Sequence, residues 1–157
     1  MRVITLLILL LSVGTAHSFE MTGKFAYEHD IAMMGYFQEA DCLVDGGKWE
    51  AEMEFCFFTA TDEITITNKE EGKFLVEAMT WGHNAHSCTF EGEATAESDV
   101  VLKAVAEGYL FGEDREEDCV VTITFSEEGK KATMESTQSC QTYCGMRAWL
   151  YTEATRL

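Results

Sequence analysis

From Phe19 onward, apolar and polar residues alternate with a period of two, the mark of strands with one buried and one wet face. Residues 49–57 show it most clearly. Trp49, Ala51, Met53, Phe55 and Phe57 face one way, and Glu50, Glu52, Glu54 and Cys56 the other. Residues 88–96 alternate as cleanly, with Cys88, Phe90, Gly92, Ala94 and Ala96 on one face. Residues 119–125 put Cys119, Val121, Ile123 and Phe125 inward. Residues 63–67 alternate Ile with Thr, residues 74–81 are partly apolar on both faces, and residues 131–136 pair back after a turn at 127–130. Residues 147–151 read as the last strand, with Trp149 and Tyr151 on one face. Residues 19–27 give a weaker strand, and residues 31–37 suit either a helical turn or a strand. Residues 100–106 suit a strand or a short helix, and their β-branched valines favour the strand.

The links are short. Asp45-Gly46-Gly47-Lys48 is a turn by composition, residues 68–72 have hairpin length, and residues 82–87 and 112–118 are polar and acidic loops. The chain has no proline, so its turns rest on Gly, Asn and Asp. Seven to nine short strands with no long helix predict an all-β fold, a single antiparallel sandwich or small barrel. Without repeats or a linker, residues 19–157 form one domain.

The first residues follow another pattern. Met1-Arg2 is a positive start, residues 3–13 are apolar apart from Ser12, and Ala16-His17-Ser18 carries small residues where a signal peptidase cuts. This predicts a signal peptide over residues 1–18 and a periplasmic or secreted chain. The apolar run falls short of the roughly 20 residues of a membrane span. No cysteine near the cut indicates a lipid anchor, and no second long apolar run predicts membrane insertion.

Charge narrows the partners. Twenty-eight acids against eleven Lys and Arg give a net charge of −17, which becomes −18 when Arg2, the one charged residue of the signal, is removed. Such a surface repels nucleic acid and anionic lipid, and favours a cationic partner, a metal ion or plain solubility. Ten Phe, three Trp and five Tyr exclude a disordered acidic tail.

Six cysteines, Cys42, Cys56, Cys88, Cys119, Cys140 and Cys144, predict a disulfide-stapled framework. Cys88 and Cys119 both open strands and face inward, so they are the first expected pair, given the roughly 4.4–6.8 Å Cα separation a bridge needs. Cys56 lies on the glutamate face, with Cys42 the nearest candidate. Cys140 and Cys144 then pair with each other across three residues, or both reach to other strands. Each bridge contributes on the order of 3 kcal/mol. The spacing matches neither a redox C-x-x-C nor a haem motif.

Few residues suggest chemistry. His83-x2-His86-x-Cys88 has metal-ligand spacing, but a bridged cysteine cannot ligate and two histidines alone hold a metal poorly. Glu113, Asp114, Glu116, Glu117 and Asp118, around Arg115, offer oxygens to calcium without the spaced ligands of a calcium loop. No metal or other cofactor is therefore predicted. Glu50, Glu52 and Glu54 form a carboxylate row, either a wet sheet face or a docking surface for a cationic protein. No nucleophile elbow or glycine-rich phosphate loop is present, and the chain does not read as an enzyme.

The runs Cys88-Thr89-Phe90-Glu91-Gly92-Glu93-Ala94, Cys119-Val120-Val121-Thr122-Ile123 and Cys140-Gln141-Thr142-Tyr143-Cys144-Gly145-Met146-Arg147-Ala148 resemble a pattern in small, uncharacterised secreted proteins of Gram-negative bacteria. The resemblance spans about residues 85–151 and is most specific at the C-x3-C-G-x-R-A end. It implies a disulfide-stapled β domain in the periplasm or outside the cell and carries no settled activity. The first half of the chain has no counterpart in it. In kind, the chain is also similar to periplasmic lysozyme inhibitors and to immunity proteins against cell-wall hydrolases. The expected function is a non-enzymatic acidic inhibitor or immunity protein whose partner is a cationic, lysozyme-type enzyme, plugged by the 82–87 or 112–118 loop. The alternatives are a small-ligand or metal carrier with a barrel cavity lined by Phe55, Phe90, Phe125 and Trp149, or an envelope structural component.

Overall fold

A computed structural model describes residues 20–113 and 115–157. The expected signal peptide, residues 1–18, and Asp114 lie outside them. The elements are β1 (Gly23–Met33), α1 (Glu39–Val44), β2 (Lys48–Glu50), β3 (Phe55–Asn68), β4 (Lys73–Trp81), β5 (Ser87–Ser98), β6 (Val101–Ala106), β7 (Tyr109–Leu110), β8 (Arg115–Glu116), β9 (Cys119–Ser126), β10 (Lys131–Ser136) and β11 (Thr152–Arg156).

The main sheet runs β1-β11-β10-β9-β6-β5-β4-β3-β2, and β1 also pairs with β3. With a partner on each edge, β1 closes eight antiparallel strands into a barrel; β2 stays outside the ring, paired with the start of β3. β7 and β8 form a separate ribbon. The fold is therefore an all-β closed barrel rather than a sandwich.

The interior is filled. Phe25, Ile64, Ile66, Val76, Phe90, Leu102, Val121, Ile123, Phe125, Met134 and Leu150 are buried there. Each such side chain contributes about 1.5–3 kcal/mol by leaving water. An eight-stranded barrel is only wide enough for its own side chains or one small ligand. Of the four residues expected to line a cavity, Phe90 and Phe125 are core, whereas Phe55 and Trp149 are exposed. At the β1–β11 seam, the Arg156 guanidinium lies 4.6 Å over the Phe25 ring. It also donates to the carbonyls of Gly129, Thr22 and Glu20, tying the last strand to the first.

Three expectations are corrected. First, residues 49–57 are not one strand. The chain turns back at residues 51–54, so β2 pairs with β3 through Glu50 and Phe55. Glu54 takes a positive φ of 55° at the turn. Nothing in Ala51-Glu52-Met53-Glu54 resembles turn chemistry; the bend lets Cys56 meet Cys42 on α1. Second, residues 147–151 are not the last strand. Arg147 has φ 67°, and Tyr151 N–H donates to the Trp149 carbonyl, a three-residue turn. The alternation is real, but Ala148 and Leu150 point inward while Trp149 and Tyr151 face out.

Third, Cys88 and Cys119 do not pair: the bridges are Cys42–Cys56, as expected, and Cys88–Cys144 and Cys119–Cys140, so that Cys140 and Cys144 both reach to other strands. Cys88 and Cys119 are both fully buried, as their face requires. They cannot join each other, because β6 lies between β5 and β9. Two interstrand steps of about 4.8 Å already separate them by about 10 Å, and Cys88 precedes the residues of β5 that pair with β6, so they are beyond bridging range. The short helical segment Gln138–Tyr143 instead presents Cys140 to β9, and Cys144 just after it meets β5.

Candidate functional site

An acidic concavity forms where β6 ends and β9 begins. The chain leaves β6 at Glu107, makes the β7–β8 ribbon and returns at Asp118. Gly108 permits the close packing this requires: a side-chain carbon there would stand 2.5 Å from the Glu117 carbonyl and 2.9 Å from that of Ser139. Ser139 Oγ donates to the Asp118 carbonyl at 2.7 Å, and Tyr143 OH to the Glu107 carbonyl at 2.7 Å. The Cys119–Cys140 bridge holds the two segments together.

Between them lies a cleft of 500 Å³ lined by Glu107, Glu116, Glu117 and Asp118, with Tyr109 and Tyr143. Arg115 forms ion pairs with Glu113 at 3.3 Å and Glu117 at 2.7 Å. Both pairs are exposed and worth at most about 1 kcal/mol. Among the described residues, Glu107, Glu116 and Asp118 have no cationic partner. The arrangement can accept donors from a cationic group and sets two rings beside it.

The other sequence-derived candidates lie elsewhere. Glu50 ends β2, while Glu52 and Glu54 sit in the turn after it, so the three form no row on one strand face. They lie on a flap of α1, β2 and the start of β3, tied by Cys42–Cys56. Gly47 packs onto that bridge, where a side-chain carbon would lie 2.4 Å from Cys56 Sγ. Above the flap, Asp30 accepts from Lys48 Nζ at 3.3 Å and Thr59 Oγ1 at 3.1 Å. The Lys48 and Thr59 hydrogen bonds hold the Asp30 carboxyl below its ordinary value.

His83 and His86 face different neighbours. His83 Nδ1 accepts from the Ala32 amide at 3.2 Å, and Asn84 Oδ1 accepts from the Met34 amide at 2.6 Å. These bonds cover the outer edge of β1, an exposed template for strand addition if left bare. His86 packs against Gly145, and Cys88 is bridged. Among the described residues, no three His, Cys, Asp or Glu side chains converge as a metal site requires.

Several site residues escaped the sequence reading. Glu107 and Tyr109 reach the acidic cleft through the β7–β8 pairing, and Tyr143 through the bridge at Cys140. His29 and Asp62, 3.1 Å apart, are brought together by the pairing of β1 with β3. Asp62 did leave a signal, since it has the parity of Ile64 and Ile66, which places its carboxylate on the inner face. Comparison with known proteins found no matching family model, curated protein or solved structure.

Proposed function

We propose that the protein is a non-enzymatic extracytoplasmic binding module, an acidic inhibitor or immunity protein for a cationic cell-wall hydrolase of lysozyme type. The observation that carries this reading is the cleft at the β7–β8 ribbon, which four acidic residues from both ends of one loop line beside two tyrosines. A lysine or arginine of the partner would dock there, with the tyrosine rings supplying apolar and cation–π contact. The compartment fits, because three disulfides are the mark of an oxidising environment. Among the described residues no helix is long and apolar enough to cross a membrane. The filled barrel leaves binding to its surface and its openings.

The test is calorimetric titration of the protein with a purified cationic lysozyme, with and without the triple change Glu116→Lys, Glu117→Lys and Asp118→Lys. The expected outcome is binding that the triple change weakens by about a hundredfold or more, as removal of close charge partners does at interfaces. Reversing Glu50, Glu52 and Glu54 instead is expected to cost less than about tenfold, as for rim charges. No binding to any lysozyme-type enzyme, or equal loss from both triples, would sink the assignment.

A further inference from the structure

The seam between β1 and β11 closes over only two residue pairs, Phe25 with Arg156 and Ala26 with Thr155. From there β1 continues beside β3 to Met33, while β11 stops at Thr152. The wall splays at this point. Tyr27 has the inward parity of the buried Phe25 and Ile31, yet it is 46% exposed. A cleft of 430 Å³ opens between Tyr27 and His29 on one side and Tyr151 and Thr152 on the other, with Asp62 and Trp81 also lining it. It shares His29 and Trp81 with a second cleft of 650 Å³ that carries Trp149 and Arg147. Both volumes fall in the range of roughly 300–1,000 Å³ typical of small-molecule sites, for which barrel openings are a common place.

One buried polar atom lining the first cleft lacks a partner, and a carboxylate oxygen beside it is free to accept. Asp62 is 3% exposed, and its hydrogen bonds, from the Trp81 amide at 2.8 Å and with His29 Nε2 at 3.1 Å, both fall on Oδ1. Its Oδ2 has none among the described residues. Thr152 is 2% exposed, and its Oγ1 is buried without a hydrogen bond. A buried hydroxyl left this way is costly, and a ligand that donates to it relieves the cost.

Around these groups stand aromatic rings. Tyr27 stacks on His29 with centroids 5.4 Å apart, and Tyr151 and Trp149 are 51% and 63% exposed. Exposed rings gathered on one surface mark a binding face. The net charge here is small, unlike that of the whole molecule. Arg147 and Lys48, the latter paired with Asp30, stand against Asp30, Asp62 and Glu153, and Arg147 has no carboxylate partner among the described residues. Such a groove offers little net charge to hold an ion. The free edge of β1 is also short, because the side chains of His83 and Asn84 take the amides of Ala32 and Met34. That leaves no run for an added peptide strand.

A ring with an apolar face and hydroxyl donors meets all of these conditions. We propose that the splayed seam binds a neutral saccharide. The C–H face of a pyranose lies on the Trp81, Trp149 and Tyr151 rings, and its hydroxyls donate to Asp62 Oδ2 and Thr152 Oγ1. This site is separate from the acidic cleft and does not depend on a protein partner there.

The test is a heteronuclear NMR titration of the folded, disulfide-bonded protein with cellohexaose and, separately, chitohexaose. With at least one of them, saturable shifts are expected at the indole groups of Trp81 and Trp149 and at amides 27–29 and 151–153, while Trp49 on β2 stays unmoved. Tyr151→Ala and Thr152→Val are each expected to weaken binding by about tenfold or more, as loss of a central contact does. Thr152→Val removes an unmet hydroxyl, so its thermal midpoint stays level or rises, which separates lost affinity from lost fold. The proposal is overturned if neither hexamer gives saturable shifts at millimolar concentration, or if both variants bind as the parent does. It is equally overturned if tetralysine occupies the seam and neither hexamer does.

Discussion

Asp30 shows how a single side chain reports the local architecture. It sits opposite Thr59 across the β1–β3 pairing and takes hydrogen bonds from that hydroxyl and from Lys48 on β2. These bonds stabilise the charged form and lower its pKa below 3.8. A lowered folded-state value means that the bonds stabilise the fold above the unfolded value of about 4, and that this contribution is lost as pH falls through the folded value. In a carboxyl NMR titration, Asp30 should ionise below 3.8, and Lys48→Met should move its midpoint upward. An unmoved midpoint would remove Lys48 as the cause. Tyr151 behaves oppositely. Its hydroxyl donates to Glu153 at 2.8 Å, and this bond raises its pKa. The Asp30–Lys48 contact was not legible from spacing, because the two meet only when β2 folds back beside β3.

At the scale of elements, the three bridges constrain different loops. The half-cystines lie 14, 56 and 21 residues apart in Cys42–Cys56, Cys88–Cys144 and Cys119–Cys140. Loop-closure entropy then assigns them about 3, about 4 and about 3 kcal/mol. Removing Cys88–Cys144 by a double serine change should lower the unfolding free energy by about 4 kcal/mol in urea titrations. Removing Cys42–Cys56 should cost about 3 kcal/mol or less. Because that bridge joins only α1 to the start of β3, hydrogen exchange should rise over residues 39–57 while β5, β6 and β9 stay protected. Loss of protection throughout the barrel would show that the flap belongs to its cooperative unit. The sequence placed Cys88 and Cys119 correctly on the inner face, but parity gives a face and not a neighbour. Strand order alone put β6 between them.

For the whole molecule, charge separates the two proposed sites. The net charge of −17 is a long-range property. Its reach shrinks from about 10 Å at 0.1 M salt to about 3 Å at 1 M. Association with a cationic enzyme should therefore slow by about tenfold or more across that range, measured by stopped-flow mixing. Saccharide affinity at the seam should stay nearly constant. A salt-insensitive association rate would argue against electrostatic docking. Strong loss of saccharide binding in salt would argue against a neutral ligand.

The sequence by itself determined the all-β class, most strand positions, the inward faces, and a strongly acidic, disulfide-stapled chain. These follow from local periodicity and composition, which act residue by residue. Tertiary structure decided whether the sheet closed, which cysteines met and that Asp62 and Thr152 line the same cleft. Those outcomes depend on strand order, and they join residues as distant as Tyr27 and Thr152. The turn at residues 51–54 and the kink at 147–151 belong with them. Each is imposed by what its neighbours must reach, Cys42 in one case and the barrel interior in the other, and neither carries the residues that usually announce a bend.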